Sequence, residues 1–104
     1  MIELAVALAL ARVQVVAHEF TLALSRPRVK AGPALIELVN LGEDDHDLRV
    51  RRMAPGARTF RISATRPGGR GELELTLRPG RYRLWCALGD HRARGMEALL
   101  VVDR

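Results

Sequence analysis

The feature of this chain that most constrains its fold is a series of short apolar segments separated by glycine and proline turns. The segment ELELTL shows it best, because Leu73, Leu75 and Leu77 alternate with polar residues. Alternation with a period of two places successive side chains on opposite faces, which is typical of a half-buried β-strand. Pro79-Gly80 follows, and an apolar face resumes in RYRLWC, so residues 72–86 predict a β-hairpin.

Similar apolar segments along the rest of the chain predict strands at 13–24, 34–41, 46–52, 58–62 and 97–103. Turn signals recur about every ten residues, and helical periodicity is absent beyond residue 11. A length of 104 residues suits a single core, and 48% hydrophobic residues are enough to fill it. The pattern therefore predicts an all-β fold, a two-sheet antiparallel sandwich.

The first eleven residues, MIELAVALALA, differ from the rest of the chain. The run ends in Ala9-Leu10-Ala11, which suits a signal-peptidase site, but no basic residue precedes it. It is too short to span a bilayer. Three interpretations stay open: an export signal or its remnant, a segment at a membrane surface, or an ordinary first strand or helix. The first of these divides the chain into a signal segment at 1–11 and a domain at 12–104.

The charge of the chain is strongly basic, with 17 Lys and Arg against 12 Asp and Glu and a net charge of +5. Such a surface favours acidic proteins or anionic membranes as partners. The arginines are scattered singly and accompanied by four aromatic residues, which does not fit a nucleic-acid interface. With one cysteine, no intrachain disulfide can form.

Four residues have side chains that bind soft metals: His46, Cys86, His91 and Met96. Strand alternation places Cys86 on the inward face of its strand and His46 on the inward face of another. The loop 87–95, which contains two glycines, then returns His91 and Met96 towards the same end of the sandwich.

This donor set favours copper over other metals. A thiolate and a thioether stabilise Cu(I), whereas imidazole accepts both oxidation states, and two His with one Cys and a weak axial Met define the blue-copper arrangement. Zinc could use the two histidines and the cysteine but would gain little from methionine. Iron–sulfur clusters need more cysteines than this chain has.

The order Cys86, four residues, His91, four residues, Met96, then a closing strand resembles the copper loop of plastocyanin- and azurin-like cupredoxins. The segments PGRYRLWC and NLGEDDHDL are similar to that family as well, and the resemblance runs from about Phe20 to Val102. It implies a Greek-key β-sandwich with one type 1 (blue) copper held by His46, Cys86, His91 and Met96.

The resemblance also implies a function. Members of the family are mostly exported, to the periplasm, cell surface or outside, and carry single electrons between protein redox partners. We expect this chain to be a monomer and not an enzyme. The second histidine of the copper loop lies nearest the surface and passes the electron, a role that falls to His91. The basic charge predicts an acidic, membrane-bound or exported partner, met by Arg92 and Arg94 beside His91.

Two positions depart from the family pattern. Asp47 stands where the family commonly has an asparagine that ties two ligand loops together, and Gly89-Asp90 stands where it often has Pro-Gly. An aspartate can still accept backbone N–H bonds, but it adds negative charge near the metal. These departures affect the stiffness of the loop and the reduction potential more than metal binding itself.

Other functions stay open on the sequence. The same ligands suit a copper carrier or storage module, which binds Cu(I) without a redox role. An oxidase would need further histidine clusters, and the chain has three histidines in all. A sandwich that binds no metal is the fourth hypothesis. His18 is interpreted as a surface or half-buried histidine and the acidic segment 43–45 as a solvated loop.

Overall fold

The computed structural model of the chain describes residues 10–104, so the predicted signal segment at 1–11 lies almost entirely outside the described residues. The described part is all-β. Its nine strands are β1 (Ala11–His18), β2 (Thr21–Leu24), β3 (Arg28–Lys30), β4 (Gly32–Asn40), β5 (His46–Arg52), β6 (Thr59–Thr65), β7 (Arg70–Leu77), β8 (Gly80–Trp85) and β9 (Glu97–Asp103). None of the described residues forms a helix of the length and apolarity needed to cross a membrane.

The strands form two sheets packed as a sandwich. One sheet has four strands in the order β2-β1-β4-β7, and the other has five in the order β3-β9-β8-β5-β6. The β1–β4 and β3–β9 pairs are parallel, and the remaining pairs are antiparallel. The predicted sandwich is confirmed, with mixed sheets. Alternation within a strand does not encode the direction of its neighbour, so the two parallel pairs were not predicted.

The prediction of one strand over 13–24 is wrong. The chain reverses at Glu19-Phe20, and β1 pairs antiparallel with β2 in a register that places Val15 opposite Leu24 and His18 opposite Thr21. An apolar run with no glycine or proline conceals this turn, because the strong turn signals of short hairpins are missing. The turn matters for function, since Glu19 and Phe20 lie at the metal-ligand end of the sandwich.

The predicted hairpin at 72–86 is also wrong. β7 pairs with β4 in the four-stranded sheet, whereas β8 pairs with β5 and β9 in the five-stranded sheet. The chain therefore crosses between sheets at Arg78-Pro79, and Gly80 adopts a φ of +138° that side chains disfavour. The buried ring of Tyr82 fixes this corner, because its hydroxyl accepts a 2.9 Å hydrogen bond from the Arg78 N–H.

The core lies between the two sheets and follows the alternation predicted from the sequence. Leu48, Val50, Leu84 and Leu100 are fully buried in the five-stranded sheet. The facing residues of the four-stranded sheet are buried as well: Val13, Val15, Ala17, Ala34, Ile36 and Leu38. At roughly 25 cal/mol per Å² of apolar area removed from water, this burial supplies the main stabilisation of the fold.

Candidate metal centre

Three connections meet at one end of the sandwich and surround the predicted ligands. They are the β1–β2 turn at Glu19-Phe20, the β4–β5 loop at 41–45 and the β8–β9 loop at 86–96. Asn40 holds the middle connection, because its buried amide donates to the carbonyls of Asp44 and Thr65 at 2.8 Å each. Its carbonyl oxygen also accepts from the Gly42 N–H. A fully buried asparagine with its amide satisfied gives the loop one fixed shape.

Cys86 and the two histidines converge at this end. Cys86 Sγ lies 3.9 Å from His46 Nδ1 and 3.6 Å from His91 Nδ1. The three donor atoms lie within 4.8 Å of one another, and within residues 10–104 this is the one such cluster of three His, Cys, Asp or Glu side chains. Cys86 directly follows β8 and His46 opens β5, so two neighbouring strands of one sheet deliver two of the three donors.

The donor spacing fits a single metal ion. Bonds of about 2.3 Å to sulfur and about 2.0 Å to nitrogen, at an angle of about 120°, place those two atoms about 3.7 Å apart. The observed distances of 3.6 and 3.9 Å lie on either side of this value. Two imidazoles and a thiolate in near-trigonal arrangement suit copper, whereas structural zinc takes four ligands in a tetrahedron.

Met96 is fully buried at the end of the β8–β9 loop. The Cys86 N–H donates to the Met96 carbonyl at 3.2 Å, and the Met96 N–H donates to the His91 carbonyl at 3.2 Å. These bonds place Met96 beside both of the other ligands of the loop. The copper hypothesis requires a thioether as the fourth donor, and Met96 is the buried methionine of this loop.

The β8–β9 loop bends where the sequence predicted. Gly89 and Gly95 have φ values of +50° and +121°, in the region where glycine is favoured. Asp90 stiffens the loop by accepting a 2.8 Å bond from Arg94 Nε, which holds the pKa of Asp90 below its usual value. The second departure from the family pattern therefore brings its own ion pair, although no proline is present.

Asp47, the other departure, ties two ligand segments together as the family asparagine does. Its Oδ1 accepts a 2.7 Å bond from the Ala87 N–H, immediately after Cys86. Its Oδ2 accepts from Arg49 Nε at 3.0 Å. Asp47 is 3% exposed, so its charge needs this partner, and Arg49 offsets the negative charge beside the centre.

Glu19 is a residue of the site that the sequence analysis missed. Its Oε1 accepts hydrogen bonds from the Asp44 and Glu43 N–H groups at 2.6 and 2.5 Å, and the Asp44 bond is the main cause that lowers the pKa of Glu19. Its Oε2 lies 3.5 Å from His46 Nε2, a fully buried nitrogen with no hydrogen-bond partner of its own. The carboxylate thus faces the outer nitrogen of one predicted ligand.

Phe20, next in the chain, packs against the other histidine. Its ring centroid lies 5.2 Å from that of His91, and the guanidinium of Arg94 lies over the Phe20 ring at 4.8 Å from the centroid. The His91 side chain is 14% exposed, whereas His46 is fully buried. Among the four predicted donor residues, His91 is therefore the one whose side chain reaches solvent. No local signal marked Glu19 or Phe20, because neither belongs to the ligand motif.

Burial acts on the thiol itself and raises the pKa of Cys86 above its usual value. A cysteine in this position is a poor free nucleophile, and a cation in the site would be what favours its thiolate form.

Two other sequence expectations are resolved here. His18 is exposed at the end of β1, as predicted. Arg92 and Arg94 were predicted to face a partner, but both already form ion pairs within the chain. Arg92 Nε lies 2.7 Å from Glu97 and its guanidinium covers the Trp85 ring at 4.5 Å, while Arg94 pairs with Asp90.

No protein-family model matches the sequence, and no curated protein matches it. Solved structures do match in fold. Auracyanin B is 17% identical with a TM-score of 0.78, covering 95% of this chain and 94% of that one. Auracyanin A, a "blue" copper protein from the bacterium Chloroflexus aurantiacus, is 13% identical with a TM-score of 0.77, covering 91% and 100%. A multicopper oxidase is 15% identical with a TM-score of 0.65, covering 89% of this chain but 44% of its own.

The resemblance inferred from the sequence is thereby confirmed at the level of the fold: the chain is a cupredoxin-like β-sandwich with a His, Cys, His and Met set at one end. At these identities the likeness establishes the fold, and the chemistry has to be argued from the residues themselves.

Proposed function

We propose that this protein binds one copper ion through His46, Cys86, His91 and Met96 and carries single electrons between redox partners. The observation that carries the proposal is the convergence of Cys86 Sγ with the Nδ1 atoms of both histidines at 3.6 and 3.9 Å. Copper bound there supplies a one-electron couple between Cu(II) and Cu(I).

The protein excludes water from the donor atoms and restrains the loops that carry them. Cys86, His46 and Met96 are fully buried, so bulk water is kept from three of the four donors. Asn40, Asp47 and Glu19 hold the ligand loops by backbone hydrogen bonds and limit the movement of the donors when the charge of the site changes. A site that rearranges little suits fast electron transfer.

The exposed edge of His91 is the proposed exit for the electron. It is the one predicted ligand with measurable exposure, and Leu41, which is 56% exposed, lies in the neighbouring connection. The role that the family resemblance assigned to His91 therefore agrees with its position.

A copper carrier or storage module is the alternative function. The ligand set does not separate it from electron transfer, since the same donors bind Cu(I). Buried donors favour electron transfer, because handing copper to an acceptor protein requires the ligands to open. Fast electron self-exchange without loss of copper would support electron transfer, and ready release of Cu(I) to an acceptor would support the carrier.

We further propose that the protein is not an enzyme. This chain covers less than half of the multicopper oxidase that shares its fold. Oxidases of that kind need additional histidine clusters, whereas this chain has three histidines, of which His18 is exposed and is not a member of the donor cluster.

The test is the visible spectrum of the purified protein after addition of one equivalent of Cu(II). We expect an intense blue colour from thiolate-to-copper charge transfer, and we expect Cys86→Ser to abolish it while leaving the circular dichroism unchanged. His18→Ala is the matched control and should keep full colour. A colourless or weakly absorbing Cu(II) complex of the unmodified protein would exclude a type 1 centre.

We also propose that the protein is exported and that its mature domain is 12–104. Thiolate–copper chemistry is normally kept out of the reducing cytosol, and the apolar run ending in Ala9-Leu10-Ala11 is consistent with export. The proposed domain retains β1 from Arg12 onwards. Mass spectrometry of the native protein tests this, with a mature amino terminus at Arg12 expected and an intact Met1 on a cytosolic protein contradicting it.

A further inference from the structure

The outer surface of the five-stranded sheet carries an unusual concentration of positive charge. Strands β5, β6 and β8 turn the following arginines to this surface, which is called the basic face below: Arg49, Arg51, Arg61, Arg81 and Arg83. The register places Arg51 directly opposite Arg83, and Arg49 directly opposite Arg61. Like charges opposed on neighbouring strands destabilise a sheet, so this arrangement has a cost to folding.

The chain does little to neutralise this charge. Within residues 10–104, Arg49 pairs with Asp47, but Arg51, Arg61, Arg81 and Arg83 form no ion pair. Some arginines elsewhere do have acidic partners. Arg28 pairs with Asp103 and Arg70 with Glu37, as Arg92 and Arg94 do near the centre. Four arginines without an ion pair therefore lie together on the basic face, whereas others, such as Arg26 and Arg66, are exposed elsewhere on the molecule.

Apolar side chains accompany these arginines. A groove of about 360 Å³ beside Arg51 and Arg83 is lined also by Trp85 and Met53, and Met53 is 53% exposed. Leu99, opposite Arg83 on β9, is 37% exposed. Arginine, methionine and tryptophan are the residue types enriched in protein interfaces.

The opposite surface of the sandwich is closer to neutral. The outer side of the four-stranded sheet carries the acidic residues Glu37, Glu72 and Glu74, which are nearly balanced by Arg12 and by Arg70, the ion-pair partner of Glu37. The two outer faces thus give the molecule a charge asymmetry that orients it in the field of a charged partner before contact.

We propose that the basic face is the docking surface for a carboxylate-rich protein, the redox partner. That the partner is a redox protein rests on the proposed electron-transfer function. The arginines lie on three neighbouring strands, which are about 4.8 Å apart and together span about 10 Å. A small anion could not contact all of them. Because β8 runs from this face directly into Cys86, a protein seated on it lies beside the strand that delivers the thiolate. Arg92 and Arg94, paired internally, contribute less than the sequence suggested.

The experiment measures binding of a polyglutamate peptide to the full chain at low ionic strength, by NMR titration of backbone amides. We expect shifts concentrated in β5, β6 and β8. The double variant Arg51→Glu/Arg83→Glu should weaken binding about tenfold. The matched control is Arg26→Glu/Arg66→Glu, which changes the net charge equally at exposed arginines off the basic face and should weaken binding less than about twofold.

Equal weakening by both double variants would overturn the proposal, because net charge alone would then explain binding. Tighter binding to phosphatidylglycerol vesicles or duplex DNA, lost in Arg51→Glu/Arg83→Glu, would overturn it in favour of a lipid or nucleic acid. Self-association of the protein, detected by sedimentation and abolished by the same variant, would also overturn the proposal. A second copy of this chain would then be what occupies the basic face. The titration needs no copper, so the two proposals can fail separately. A protein that turns blue with Cu(II) but does not bind the peptide at the basic face refutes the docking surface alone. A protein that binds the peptide there but stays colourless with Cu(II) refutes the copper proposal alone.

Discussion

Two groups of residues build the metal centre: those that offer donor atoms and those that hold the donors in place. Cys86 and the two histidines lie at distances that match bonds to one ion. Asp47 and Glu19 carry their charge outside that set and act through hydrogen bonds on the ligand segments. Substitution of a donor should therefore change the colour and the copper affinity. Substitution of a supporting residue should change the reduction potential and the rigidity of the ligand loops.

Met96→Leu tests the weakest of the proposed donors. The thioether is a long axial ligand, so its loss should leave the blue colour but raise the reduction potential, because a weaker axial donor disfavours Cu(II). Leucine is close to methionine in volume and should keep the packing within about 1.5 kcal/mol. Potentiometric titration of both proteins measures the change. Complete loss of copper from Met96→Leu would show that methionine is a primary ligand.

Glu19→Gln tests the carboxylate that faces His46. The variant keeps an oxygen for the Glu43 and Asp44 N–H groups but removes a negative charge near the centre, which should raise the reduction potential on the order of tens of millivolts. The matched control is Glu43→Gln, which removes an exposed charge from the same loop and should shift the potential much less.

Gly42→Ala provides a second route to the same effect. A Cβ at position 42 would lie 2.0 Å from Glu19 Oε2, so the carboxylate would have to leave its place. The variant should therefore raise the potential as Glu19→Gln does, and it should speed hydrogen exchange at the Glu43 and Asp44 amides even without copper. Unchanged exchange at those amides would mean that Glu19 does not hold the loop.

Among the strands, the connection between β7 and β8 has the largest consequence. Because it crosses from one sheet to the other, β8 lies between β9 and β5, where its end delivers Cys86 next to His46. A hairpin in one sheet would have paired β8 with β7 and separated the two ligands.

Tyr82→Phe tests the corner that enforces this crossing. Removing the hydroxyl leaves the Arg78 N–H without its partner, and we expect a loss of about 1 kcal/mol in the free energy of unfolding. The copper colour should not change, because the ring and the course of β8 remain. Urea unfolding measures the loss, with the exposed Thr76→Ala on β7 as control. Equal stability of Tyr82→Phe and the unmodified protein would show that packing of the ring alone fixes the corner.

For the whole molecule, the core and the metal centre are largely separate. Cys86 and Met96 belong to the buried cluster, but its other members are aliphatic residues and Tyr82, none of which is a predicted donor. The fold should therefore not depend on copper, which adds stability by binding the folded state preferentially.

We expect the copper-free protein to give the circular dichroism of a β-sandwich and to unfold cooperatively. A ligand at 1,000 times its dissociation constant adds about 4 kcal/mol, so copper should raise the Tm by about 15 °C or more. Scanning calorimetry with and without copper measures this, and Cys86→Ser should lose most of the increment. Random-coil circular dichroism without copper would contradict this separation of core and site.

Much of the fold and the clustering of His46, Cys86 and His91 could be predicted from the sequence, because alternation encodes which face a side chain occupies. β9 at Glu97–Asp103 and β5 at His46–Arg52 lie where the pattern predicted them. The inward positions of His46 and Cys86 follow from the same parity, and both are fully buried. The resemblance of the β8–β9 loop to a copper loop could be recognised because Cys86, His91 and Met96 lie close in the chain, where spacing itself limits geometry.

Tertiary structure alone decided which segments meet. The turn at Glu19-Phe20, the crossing between β7 and β8 and the two parallel strand pairs depend on which apolar faces bury each other across long separations, and no local pattern records that choice. The same holds for Glu19 beside His46, 27 positions later in the numbering, and for Arg51 opposite Arg83. Local periodicity determined what each residue offers, and packing of the sheets determined its neighbours.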